Sequence, residues 1–138
     1  MSLLLPQPLG IPAPGPSRGS REYWDGCRRH QLLYKRCAEC SFCGLGSFSV
    51  CAGCHATTPV WEESTGTGSL YSWTVVWRPP DPAFQVPYAP AIVRVDEGFW
   101  MMSAVIGCDP DALREGLPMM VEFHPASDEI TLPYFRPA

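Results

Sequence analysis

Two Cys-x-x-Cys pairs, Cys37-Ala38-Glu39-Cys40 and Cys51-Ala52-Gly53-Cys54, stand ten residues apart in this chain. A Cys-x-x-Cys step lets two thiolates from one tight turn reach the same ion. Two such knuckles complete a tetrahedral sulfur shell with no open position for water or substrate. Four sulfurs select zinc or iron and reject hard cations such as magnesium or calcium. Residues 34–60 cannot bury a core of their own, so the metal must hold them together. Cys37, Cys40, Cys51 and Cys54 are therefore read as ligands of a structural zinc rather than as two disulfides. Bound that way, the ion takes no part in bond breaking.

Iron in a rubredoxin-like site is the sharper alternative, because the same shell binds it. Rubredoxins usually follow each knuckle with glycine and place proline inside the second. Here Ser41 and His55 follow the knuckles and Ala52 stands where proline would, which favours zinc. Cys43 is a spare thiol in the loop, and Cys27 and Cys108 lie among apolar neighbours as buried small residues. A cysteine nucleophile needs a base and an orienter. None of the three histidines, His30, His55 and His124, is tied by the sequence to a particular thiol. The acidic pairs Glu62-Glu63, Asp96-Glu97 and Asp128-Glu129 fall at turns or strand ends and read as solvated, so no catalytic residue is assigned.

At 138 residues, 46% of them hydrophobic, the chain can bury a real core. No apolar run is long enough to span a bilayer. Leu3-Leu4-Leu5 lacks a basic flank and is broken by Pro6 and Pro8, which argues against a secretory signal. The seven cysteines then belong to a reducing, cytoplasmic setting. The net charge of −4 is uneven: residues 18–36 hold six basic and two acidic side chains, the remainder four and twelve. Nucleic-acid binders need an extended basic surface, and most of this chain repels phosphate. Arg28, Arg29, Lys35 and Arg36 could still meet the few phosphates of a nucleotide-like cofactor, or an acidic partner.

Three stretches follow. Residues 1–19, with prolines at 6, 8, 12, 14 and 16, read as a mobile Pro-rich arm. Residues 20–60 read as a helix of about a dozen residues capped by Ser20, then the zinc ribbon. Residues 61–138 turn to strands: Ser69 to Trp77, Ala91 to Val95, Phe99 to Ile106, Met119 to Phe123 and Ile130 to Phe135. Asp96-Glu97-Gly98 reads as a hairpin turn and Asp109 to Gly116 as a one- to two-turn helix. A short helix between the third and fourth of five strands fits an OB barrel. The fold class is mainly β: short N-terminal helix, rubredoxin-like zinc ribbon, five-stranded OB-fold barrel.

These pieces in this order resemble the DUF35 family. The resemblance rests on Tyr23-Trp24, the LLYKRC lead-in, the two knuckles, GTGSLYSWTVVWRPPDPAF, VPYAPAIVRVDEG, GCDPDALREGLPMMVEF and TLPYFRPA, from about residue 20 to the end. The usual histidine before the Arg-Pro-Pro step is Trp77 here. The resemblance implies an N-terminal zinc ribbon, a C-terminal OB-fold, and an acyl-CoA-associated accessory role. The implied partner is a thiolase or a thiolase-superfamily, lipid-transfer-protein-like aldolase, as in retro-aldol cleavage of a steroid hydroxyacyl-CoA side chain. An enoyl-CoA hydratase is the alternative, and a coenzyme A thioester the ligand of the complex. A symmetric enzyme dimer carrying two copies would make a heterotetramer.

On that reading the loop Trp77 to Tyr88 packs on the partner near its acyl channel. A long loop with large aromatics is costly to leave in water, and aromatic anchors and arginine are what interface hot spots favour. Trp77, Arg78, Phe84 and Tyr88 are the candidates. Folding of Phe84 and Tyr88 back as a lid on the barrel is the plainer reading. Aromatics on an OB barrel also suit single-stranded nucleic acid, but Arg78, Arg94, Arg114 and Arg136 are the only cations in residues 61–138.

Overall fold

The computed structural model describes residues 2–46 and 48–138. Helix α1 (Arg21–Arg28) is followed by strands β1 (Leu33–Cys37), β2 (Cys43–Gly44) and β3 (Pro59–Glu63), then β4 (Thr67–Trp73), β5 (Ala89–Val95) and β6 (Trp100–Val105). A single 3₁₀ turn (Pro110–Ala112) leads to β7 (Pro118–Pro125) and β8 (Thr131–Pro137). The first three strands form an antiparallel sheet in the order β2-β1-β3, and the other five close into a barrel in the order β4-β5-β6-β8-β7. The fold is mainly β with one short helix and an OB barrel, as the strand pattern implies.

Alternation builds the barrel. On β5, Ala89, Ala91, Val93 and Val95 face inward and are buried, while Ile92 and Arg94 face out. Period-two alternation is what a strand with one covered face requires. The inward side chains meet Leu70, Met101, Val105, Met119 and Phe135 in a core that also takes Tyr23, Cys27, Leu32 and Tyr34 from the helix and ribbon. Ribbon and barrel thus share one hydrophobic interior, and the boundary expected at 60/61 falls inside β3. Gly68 allows β4 and β5 to meet closely, since a Cβ there would lie 2.2 Å from the Arg94 carbonyl oxygen.

Helix α1 is shorter than expected, eight residues, and Ser20 does not cap it through its side chain. The Ser20 hydroxyl instead lies 2.8 Å from that of Ser17. Gly26 weakens the helix but has a packing reason: a Cβ there would sit 2.7 Å from the Leu33 side chain at the start of β1. The first long barrel strand also stops early, at Trp73. Beyond it, Val76 makes only an isolated bridge with Tyr88.

The expected mobile arm is anchored over residues 2–11. Leu4 is fully buried, its N–H donates to Cys108 O at 2.9 Å and its carbonyl accepts from Gly107 N at 2.8 Å. Gln7 N donates to the Tyr134 hydroxyl at 3.1 Å. The Gln7 side-chain amide pairs with the Gln85 backbone, accepting from N at 2.8 Å and donating to O at 3.0 Å. Ile11 packs with Ala126 and Ile130. A leucine and an isoleucine seven residues apart gain more by burial than an extended, proline-stiffened segment loses in backbone entropy. Residues 12–19 are exposed throughout.

Candidate metal centre and an apolar cavity

The ribbon brings Cys37, Cys40, Cys51 and Cys54 together, with all four sulfurs within 4.8 Å of one another. Cys37 and Cys54 lie 3.7 Å apart and Cys40 and Cys51 3.5 Å apart, while the seven cysteines are free thiols. Zinc–sulfur bonds of 2.3 Å in a tetrahedron require sulfurs about 3.8 Å apart, so the cluster fits zinc with little adjustment.

The two knuckles are near-copies. Glu39 N donates to Cys37 Sγ at 3.4 Å, and Gly53 N donates to Cys51 Sγ at 3.2 Å. Ser41 N bonds to Cys37 O and His55 N to Cys51 O. In each knuckle the first cysteine is buried and the second exposed. The residue after each knuckle must turn left-handed, and Ser41 (φ 66°) and His55 (φ 64°) do so without being glycine. Burial opposes ionisation of Cys51, but the N–H groups of Cys54 and Gly53 and the sulfurs of Cys40 and Cys37 bring its thiol down to about 7. The expected spare thiol, Cys43, lies outside the group and donates to Glu97 O at 3.4 Å.

Other thiols are poor nucleophiles. Burial pushes Cys27 up to about 11, and burial followed by the Asp109 charge raises Cys108. One histidine does meet a carboxylate: His124 Nε2 lies 2.6 Å from Glu122 Oε2, and Glu122 Oε1 takes Arg136 Nε at 3.1 Å. Both sit on the partly exposed face of β7, where period-two spacing aligns residues 122 and 124.

The basic candidates separate. Arg28 and Arg29 are exposed at the end of α1, with Arg29 Nε donating to Gln31 Oε1. Lys35 and Arg36 are taken up inside the ribbon. Lys35 donates to Phe48 O at 3.1 Å and lies over the Trp61 ring. Arg36 bonds Glu62, Ser41 O and the Tyr34 hydroxyl.

The aromatic loop separates in the same way. Trp77 is 61% exposed and Arg78 is exposed beside it. Phe84 and Tyr88 stack on each other at 5.7 Å and turn inward. They form one wall of an open apolar cavity of about 340 Å³, whose other walls include Leu5 and Ile11 of the arm, Trp24 of α1 and Met102 of β6. The sequence reading missed this cavity, because its walls come from five separate stretches, β8 among them, and the arm reads as free. The one signal was Leu3-Leu4-Leu5, an apolar run with no other use.

A family model described as the C-terminal OB-fold domain of ChsH2 matches residues 61–124. The solved structure titled "Ltp2-ChsH2(DUF35) aldolase" superposes with a TM-score of 0.83 at 32% identity, covering 91% of this chain and 98% of that one. The chain belongs to the DUF35 family. Among curated relatives of this DUF35 chain, the "Probable enoyl-CoA hydratase alpha subunit" of Thermomonospora curvata is 33% identical over 127 residues, which are 92% of the chain and 40% of the relative. The "3-oxo-4,17-pregnadiene-20-carboxyl-CoA hydratase alpha subunit" of Mycobacterium tuberculosis is 29% identical over 126 residues, 84% of the chain and 37% of the relative. The chain thus spans about two fifths of the length of these two relatives. Among the described residues no helix is long and apolar enough to cross a membrane.

Proposed function

We propose that this DUF35 chain is an accessory subunit of an acyl-CoA-processing complex, docking on a thiolase-superfamily aldolase that cleaves a hydroxyacyl-CoA. The observation that carries this reading is the match to the "Ltp2-ChsH2(DUF35) aldolase", which extends over 98% of that chain rather than over the barrel alone. A steroid or similarly broad apolar acyl group is the substrate class, supported by the pregnadiene carboxyl-CoA in one relative's name. Cys37, Cys40, Cys51 and Cys54 hold one structural zinc, which locks the two knuckles and does no chemistry on the substrate. Of the basic candidates, Arg28 and Arg29 have charge to offer the phosphates of coenzyme A. Two chains on an aldolase dimer give a heterotetramer. The names of two relatives favour a second reading, in which the partner is an enoyl-CoA hydratase.

The test is capture of the tagged chain from its native cell, identification of the bound protein, and assay of the pair and of each member alone. A thiolase-superfamily partner in equal amount, inactive or unstable without this chain, is the expected result. Turnover of an acyl-CoA by this chain alone, or a partner equally active without it, would refute the reading. A hydratase in the partner's place would select the second.

A further inference from the structure

Across β4, β5 and β6 the barrel turns outward an exposed aromatic face, which at Met102 meets the rim of the apolar cavity. A bulge between Leu70 and Ser72 frees Tyr71, and Arg94 and Trp100 stand opposite each other on β5 and β6. The Tyr71 and Trp100 rings lie 4.4 Å apart. The Arg94 guanidinium is 4.4 Å from the first ring and 5.4 Å from the second. The next outward pair on the same strands is Ile92 opposite Met102. Trp100 is 54% and Met102 72% exposed.

Arg94 has no carboxylate partner among the described residues. The two acids of its own hairpin are engaged elsewhere: Asp96 accepts from Thr67 Oγ1 at 2.6 Å, and Glu97 accepts from Ser64 Oγ and Thr65 N. Held against two rings, the guanidinium is already positioned for an external anion, with little side-chain freedom left to lose. Tyrosine, tryptophan, methionine and arginine are also the residues that protein interfaces concentrate. In OB barrels the second and third strands, here β5 and β6, form the face that takes ligands. A single nucleic-acid strand would need a basic groove, whereas residues 61–138 carry four arginines against eleven acidic residues.

We propose that the face built from Tyr71, Arg94, Trp100 and Met102 is where the thiolase-like subunit docks, presenting an apolar patch with one carboxylate against Arg94. This rests on the accessory-subunit reading and adds the surface and its chemistry to it.

The experiment places a photo-crosslinking phenylalanine analogue at position 102 of the full chain, and at position 42 on the ribbon as a control. Both are produced in the native cell and purified with any bound partner. Arg94→Glu is measured in parallel for binding to the captured partner, with Met102→Glu as a second variant in case the first does not fold. The expected result is a crosslink from 102, and not from 42, into the thiolase-superfamily subunit. Arg94→Glu should bind about 30-fold or more weakly, as truncating one side of a buried charge pair does, and reversing the facing carboxylate to lysine should restore binding. If the partner is captured but crosslinks only from 42 and tolerates both charge variants, the surface is wrong and the accessory role stands. A crosslink from 102 into a second copy of this chain, or into nucleic acid, overturns the proposed occupant. If no thiolase-superfamily protein is captured at all, the accessory-subunit reading itself fails.

Discussion

Leu4→Ala tests whether the arm belongs to the core in solution. Leu4 is fully buried and sits among the barrel's own buried residues. The substitution removes three methyl or methylene groups, about 0.8 kcal/mol each, so the transfer cost is about 2.4 kcal/mol. A residual void would carry it toward the upper range of buried leucine truncations, about 5 kcal/mol. The arm lies at the chain's periphery and can lift away, so the loss cannot exceed what docking residues 2–11 contributes. That ceiling favours the lower half, about 2.5–3.5 kcal/mol. With a urea m-value of roughly 1.5 kcal/mol/M, a loss of about 2.5 kcal/mol lowers the midpoint by about 1.7 M. Ile11→Ala provides the internal check. If the arm docks as one unit, the double variant should lose clearly less than the sum of the single losses, whereas independent sites add. A Leu4→Ala midpoint within 0.3 M of the parent would refute the buried placement, and full additivity would refute docking as a unit.

Zinc analysis of the purified chain should return one zinc per chain and no iron–thiolate colour, and chelation or Cys51→Ser should unfold the ribbon strands, read as loss of protection of β1–β3 amides from exchange. Ser41→Gly and His55→Gly should each stabilise the metal-loaded protein by about 0.5–1 kcal/mol, because glycine relieves the left-handed strain and gives part of it back as unfolded-chain entropy; a loss of stability in thermal melts would contradict that account of the knuckles. Glu97→Gln should cost about 1–2 kcal/mol at neutral pH, the scale of hydrogen bonds to a charged group. Burial alone would raise the Glu97 carboxyl above its ordinary 4.5, but the Ser64 hydroxyl and Thr65 N–H hold it below. The depressed value means its stabilisation is full above about pH 4.5 and is lost as pH falls through the lower folded value. The gap between parent and variant melting temperatures should therefore close on acidification, and a gap constant from pH 7 to pH 3.5 would contradict the linkage.

The ribbon was legible because its chemistry is local. Cysteine spacing alone assembles the four sulfurs, and the DUF35 motifs carry the strand order of the barrel. What stayed hidden depends on contacts between distant residues. Prolines at 6 and 8 mark residues 1–19 as irregular, yet irregular backbone still buries Leu4 and Ile11 when a groove waits for them. Lys35 and Arg36 read as available charge because nothing in their immediate sequence shows Phe48 O or Glu62 beside them. The outward face of β5 and β6 left a faint trace. Apolar side chains fall on both parities of Ala89–Val95 and Trp100–Val105, which one covered face does not need.

The barrel closes along its weakest ladder. β6 and β8 meet in parallel through a single register pair, Val105 with Phe135, whereas β7 and β8 share seven. The arm straddles that gap, gripping Gly107 and Cys108 beyond β6 and Tyr134 on β8, so it works as a clasp on the outside of the cylinder. Unfastening it would let the cylinder part at one line without melting any strand, giving a partial opening below the global unfolding free energy. A surface that seizes the arm could thereby loosen the barrel from outside, and one that presses it down would rigidify the cavity wall that Leu5 and Ile11 form.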